Sequence, residues 1–148
     1  MTSTVSVTIT QQQNFQFLVD FGDSMQSIIA DEPAPLGGGA GPAPTHLLMA
    51  SIANCLSASF FFALGKFKQD PGGIRTTASC VIDRNEENRL RVLQANVEIQ
   101  FGKGSAEIAH LDRVLDQFEG FCTVTQSVGQ GIPIHTRVLD SKGVILKD

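Results

Sequence analysis

The chain has 148 residues, 42% of them hydrophobic, and a formal net charge of −4. That length suits one domain, 1–148, with a core of its own, and no basic stripe marks a nucleic-acid partner. Asp20, Asp23, Asp31 and Glu32 are the only formal charges before Lys66. The opening Met-Thr-Ser-Thr-Val-Ser-Val lacks the basic and apolar regions of a signal peptide, so a cytoplasmic, reducing location is expected. In that setting Cys55, Cys80 and Cys122 are expected to be thiols or redox groups rather than structural staples.

Val5, Val7 and Ile9 alternate with Thr and Ser, and Phe15, Phe17 and Val19 alternate again, predicting two half-buried antiparallel strands. A third short strand is predicted at Met25 to Ile29. Prolines and glycines make 31–43 a loop, and Pro44, which has no N–H to leave unpaired, opens a long helix to about Phe67. Its apolar residues, including Leu48, Ile52, Cys55, Leu56, Phe60, Phe61 and Phe62, cover most of the circumference, so burial on nearly all sides is expected. No charge occurs from Pro33 through Gly65, which raises a transmembrane reading. Ser51, Asn54, Ser57 and Ser59 dilute the run and no basic residue flanks its start, so no membrane partner is expected. A second subunit supplying part of the wrapping fits this helix better.

Beyond the turn at Asp70-Pro71-Gly72-Gly73, strands are predicted over 74–83 and 89–101. Ser105 is placed to cap a helix carrying Ile108, Leu111, Val114, Leu115 and Phe118, and Gly120 to end it. Cys122 begins a shorter helix, and Ile132 to Leu139 with Val144 to Leu146 form a terminal hairpin. This order of strands, buried helix, strands, helices and strands is α+β.

Two cysteines carry the possible chemistry. Cys55 sits inside the uncharged helix, where a free cysteine also packs well as a small hydrophobe. Cys122 opens a helix, whose positive dipole end favours thiolate, although a capping residue with no chemistry accounts for it equally. Cys80 alternates with Ala78 and Ile82 and is read as core. His46 stands nine residues before Cys55, on the opposite side of the helix, and is read as a polar residue near a helix end. His110 and His135 are expected to face solvent. No histidine and cysteine spacing matches a metal motif, and Gly37-Gly38-Gly39-Ala40-Gly41 lacks the lysine of a phosphate loop, so no metal or other cofactor is expected.

The segment Gly41-Pro42-Ala43-Pro44-Thr45-His46-Leu47-Leu48, leading into Ala53-Asn54-Cys55, with the later Cys122-Thr123-Val124-Thr125-Gln126-Ser127-Val128, resembles the osmotically inducible protein C and organic hydroperoxide resistance family, of OsmC-like proteins. The resemblance runs over essentially the whole chain in element order. It implies an OsmC-like fold, with antiparallel sheets around a long central helix, in an intertwined homodimer. It further implies a thiol-dependent peroxidase that reduces organic or fatty-acid hydroperoxides, with Cys55 as the peroxidatic thiol, Cys122 as the resolving one, and a dithiol as reductant. One family feature is missing: a glutamate after the helix-opening proline that orients an arginine from the N-terminal strands. Here that position is Thr45, and no arginine precedes Arg75. If the peroxidase reading holds, an arginine from the second half must serve, with Arg75, Arg84, Arg89 and Arg91 as candidates from either subunit. Otherwise the chain is a non-catalytic dimeric binding protein of the same fold, or a thiol–disulfide exchanger without peroxide specificity.

Overall fold

The computed structural model describes residues 1–148, and the chain forms two compact units, 1–48 and 49–148. The architecture is α+β, with two sheets and one long helix.

In the first unit, β1 (Thr8–Gln13), β2 (Gln16–Asp20) and β3 (Ile28–Ala30) form an antiparallel meander. Two expectations change here. The first strand begins at Thr8 rather than near Val5, and every residue of β1 is exposed, so its alternation marks a ribbon that the chain itself leaves uncovered. The third strand starts three residues late, because Gly22 and Asp23 both take positive φ in a turn that leaves Met25 exposed. The loop that follows is built around a buried carboxylate. Asp31 accepts the N–H groups of Glu32 (2.7 Å), Gly38 (3.2 Å) and Ala40 (3.0 Å). These bonds, Ala40's foremost, hold it below its ordinary carboxylate value. Gly41 runs so close to β3 that a Cβ there would sit 1.8 Å from the Ile29 carbonyl oxygen, which only glycine avoids.

Helix α1 (Pro44–Lys66) starts as the proline requires. His46 is the third helical residue, and its Nδ1 accepts the Ala43 N–H at 3.0 Å, the backward half of a capping box. At the other end, the Gln69 N–H bonds the Leu64 carbonyl and the Lys68 N–H that of Gly65, with Lys68 at φ 55°. This is a Schellman ending with lysine in the position glycine usually takes.

In the second unit, β4 (Ile74–Arg84), β5 (Leu90–Phe101), β6 (Ile134–Leu139) and β7 (Ile145–Lys147) form one sheet in that order. β6 runs parallel to β5, whereas the other pairs are antiparallel. The sheet and α1 enclose the core. Ile52, Leu56, Phe60, Ala63 and Leu64 recur on one helical stripe and are fully buried. The Phe60 ring meets Phe101 at 5.7 Å and Phe118 edge-on at 5.3 Å. Ser57 ties α1 to the sheet through Thr76 at 2.6 Å. α1 has the length and composition to cross a bilayer, but here this stripe is buried by protein.

The expectation that α1 is buried on nearly all sides fails for the single chain, where Phe61 is 59% and Phe62 57% exposed. The expected helix from Ser105 is also displaced. Ser105–Glu107 make a short 3-10 turn, and α2 (Leu111–Gln117) starts after His110, which takes φ 59° and stacks on Phe67 at 4.9 Å. Ser105 serves Asp140 instead: the buried Asp140 carboxylate accepts the N–H groups of Ser105 (2.9 Å), Lys142 (2.9 Å) and Val144 (3.0 Å). The chain passes through another 3-10 turn, Phe118–Phe121, which contains the expected stop at Gly120, into α3 (Thr123–Val128).

Candidate thiol site

Cys55 and Cys122 come together inside the second unit. Cys55 lies midway along α1, half-buried, one residue before the core residue Leu56. Cys122 is the N-cap residue of α3 and is fully buried. Its Sγ accepts the Thr125 N–H at 3.5 Å and its carbonyl accepts the Gln126 N–H at 3.0 Å, so the short helix is anchored on the residue that carries the thiol.

The two side chains are within hydrogen-bonding reach of each other, and neither is in a disulfide. Burial is the main influence that raises Cys55 above the ordinary thiol value, and the hydrogen bond and charge of Cys122 push the same way. Two donors pull against them, the Val124 N–H from the first turn of α3 and the Ser59 hydroxyl from the next turn of α1. Ser59 follows Cys55 by four positions, so it lies on the same helical face. It is the functional neighbour that reading the sequence missed; the spacing was visible, but serine was counted there only as a polar dilution of an apolar helix.

No cation is among the groups acting on Cys55. Arg84 donates to the Asn88 carbonyl and Arg91 to that of Leu90, both at the β4–β5 hairpin end, where Arg89 is also exposed. Arg75 is exposed and alternates in β4 with Thr76, the residue that faces α1. None of the four arginines is among the groups that shift Cys55. His46 is committed to its cap, and Cys80 is half-buried in β4 opposite Ala95. His135 faces outward and pairs with Asp148 at 2.9 Å.

A half-exposed thiol in front of a buried one is an arrangement for sequential sulfur chemistry. In such a pair the more exposed sulfur is the one a solute can reach, and the two sulfurs are near enough to react with each other.

A family model described as OsmC-like protein matches residues 37–137. No curated protein matches the sequence. Among solved structures, the fold is similar to that of an OsmC-like protein of unknown function from Vibrio cholerae, with TM-score 0.78, 16% identity, and coverage of 93% of this chain and 100% of that one. It is also similar to an organic hydroperoxide resistance protein from Legionella pneumophila (TM-score 0.68, 14% identity, 92% and 96% covered). A third likeness is to the organic hydroperoxide resistance protein OhrB of Bacillus subtilis (TM-score 0.69, 13% identity, 92% and 98% covered). At these identities the likeness is one of fold.

Proposed function

We propose that this chain, which belongs to the OsmC-like protein family, is a thiol-dependent peroxidase that reduces organic hydroperoxides through Cys55 and Cys122. The observation that carries the reading is the apposed pair of free thiols, one half-exposed and one buried. The Cys55 thiolate attacks the terminal peroxide oxygen and the O–O bond breaks. The leaving alkoxide takes a proton to become an alcohol, and Cys55 becomes a sulfenic acid. The Cys122 thiol then attacks that sulfur, water leaves, and a disulfide forms. A dithiol reductant, itself oxidised to a disulfide, restores both thiols. The Val124 N–H and the Ser59 hydroxyl stabilise the thiolate in this scheme, and the arginine it requires is supplied across the dimer by the second subunit.

In this reading 1–148 acts as a single domain, in the cytoplasm, as a homodimer. Support for the dimer comes from apolar side chains the single chain leaves exposed, among them Phe61, Val81, Ile82, Leu90 and Leu93. Light scattering at micromolar concentration should return twice the 15.9 kDa chain mass.

A second reading has its own observation. With no cation acting on Cys55 and its thiol pushed up by burial, the thiolate is scarce at neutral pH, as befits a dimeric binding protein of this fold without turnover. The discriminating experiment supplies cumene hydroperoxide and a dithiol to wild type, Cys55→Ser and Cys122→Ser. The peroxidase reading requires turnover in wild type and its loss in Cys55→Ser. Equal background rates in all three leave the binding protein.

A further inference from the structure

A charged side chain on the core-facing side of a sheet needs partners there, and β7 carries a lysine on that side. Lys147 stands opposite Val138 in the β6–β7 register, and Val138 is fully buried. The next residue, Asp148, turns to the outer face. Its carboxylate accepts the Arg137 Nε–H at 3.3 Å and an Nη2–H at 3.1 Å, and it pairs with His135 at 2.9 Å. That outer clamp fixes the end of β7 and aims Lys147 inward.

The Lys147 ammonium is committed to one short stretch of chain. It donates to the Leu115 carbonyl, near the end of α2, at 2.8 Å, pairs with the Glu119 carboxylate at 3.6 Å, and lies 5.5 Å from the centre of the Phe118 ring. A cation there bonds a terminal carbonyl and meets the negative end of the helix dipole. All three contacts fall on the segment that delivers Cys122. The Glu119 carbonyl accepts the Cys122 N–H at 3.1 Å and the Gln126 side-chain N–H at 3.1 Å. Phe118 is fully buried, and its ring meets that of Phe60, five residues after Cys55 on α1, edge-on at 5.3 Å. The turn before Cys122 is thus gripped from two sides, by the helix that carries the other thiol and by the last strand of the sheet.

Resting on the peroxidase reading of the same thiols, we propose that Lys147 is a positioning residue for the second step, in which the Cys122 sulfur attacks the Cys55 sulfenic acid. It acts through the turn rather than on either sulfur. The first step needs only Cys55 and its donors, whereas the second needs two sulfurs held in line. A small displacement of one reacting group costs such a step far more than the lost contact itself.

The test follows one turnover with equimolar cumene hydroperoxide in wild type, Lys147→Met, Lys147→Arg and Glu119→Gln. Dimedone trapping reads sulfenic acid formation, and peptide mass spectrometry without dimedone reads disulfide closure. Lys147→Met keeps an apolar stem over Phe118 but loses the charge. It should form sulfenic acid at the wild-type rate and close the disulfide about tenfold more slowly, the factor expected when a carbonyl loses a charged donor. Lys147→Arg can still donate to that carbonyl and pair with Glu119, so it should recover most of the rate. Glu119→Gln leaves the carbonyl bond in place and should slow closure about two- to threefold; it carries the comparison if Lys147→Met does not fold. Closure at the wild-type rate, or slowing of both steps alike, overturns the role of Lys147 and leaves the peroxidase reading standing. If wild type forms no sulfenic acid, the peroxidase reading fails, and equilibration with glutathione decides the inference. The Cys55–Cys122 disulfide should then be about tenfold easier to reduce in Lys147→Met than in wild type or Lys147→Arg. Equal equilibria, or no such disulfide in wild type, reject it.

Discussion

Removing the Ser59 hydroxyl should slow the reactions of Cys55 without moving the sulfur. Ser59 is buried and its hydroxyl is one of two donors that lower the Cys55 thiol against burial and Cys122. One such hydrogen bond contributes about 1 kcal/mol, which corresponds to about a fivefold loss of thiolate wherever the thiol is mostly protonated. Ser59→Ala should therefore reduce the alkylation rate of Cys55 by iodoacetamide about fivefold at neutral pH. The site is followed by peptide mass spectrometry, because Cys80 and Cys122 are also free. The pH dependence separates ionisation from shape. At a pH above the raised thiol value both proteins carry thiolate and their rates should converge. A rate ratio that stays constant over the whole pH range would mean that the methyl group alters access, and unchanged rates would remove Ser59 from the site.

Further outcomes follow from the same contacts. On the proposed peroxidase reading, Cys122→Ser should leave a Cys55 sulfenic acid that persists after hydroperoxide treatment and is trapped by dimedone, because the neighbouring sulfur is gone. Phe60→Ala removes a fully buried ring packed against Phe101 and Phe118 and should lower urea stability by about 3–5 kcal/mol. Asp31 and Asp140 both titrate below the ordinary 3.8 in the folded chain, so their contribution is complete above that value and is lost as pH falls through the depressed folded values. Urea midpoints should drop on acidification through this range, and Asp31→Asn should flatten part of that drop.

The sheet of the second unit was legible in sequence because its strands carry a period of two. Val97, Ile99 and Phe101 are buried as the alternation predicts, and Pro44 marks the first residue of α1. The thiol pair was legible only through the two cysteine motifs read together, since nothing local to either says that they meet. Other features depend on partners far along the chain. Ser105 has the chemistry of a helix cap, but Asp140, 35 positions on, takes its N–H, and α2 begins instead behind a left-handed histidine that no capping preference selects. The parallel pairing of β5 with β6 is equally invisible locally, because alternation does not encode strand direction. The exposure of β1, Phe61 and Phe62 was misjudged because apolarity reports what can be buried, not what the same chain covers.

Because β5 and β6 are parallel, the chain between them must travel back along the sheet, and that return segment carries α2, α3 and Cys122. A Cys55–Cys122 bond would therefore close a loop containing β4, β5 and the return segment as far as Cys122, and a loop of this length restricts the unfolded chain by ~4 kcal/mol. Thermodynamic linkage gives that restriction a redox meaning: whatever the folded protein gains from the bond, its reductant must overcome. The oxidised protein should melt higher than the reduced one, and the same interval measures how strongly reducing a dithiol must be to return the pair to its resting state.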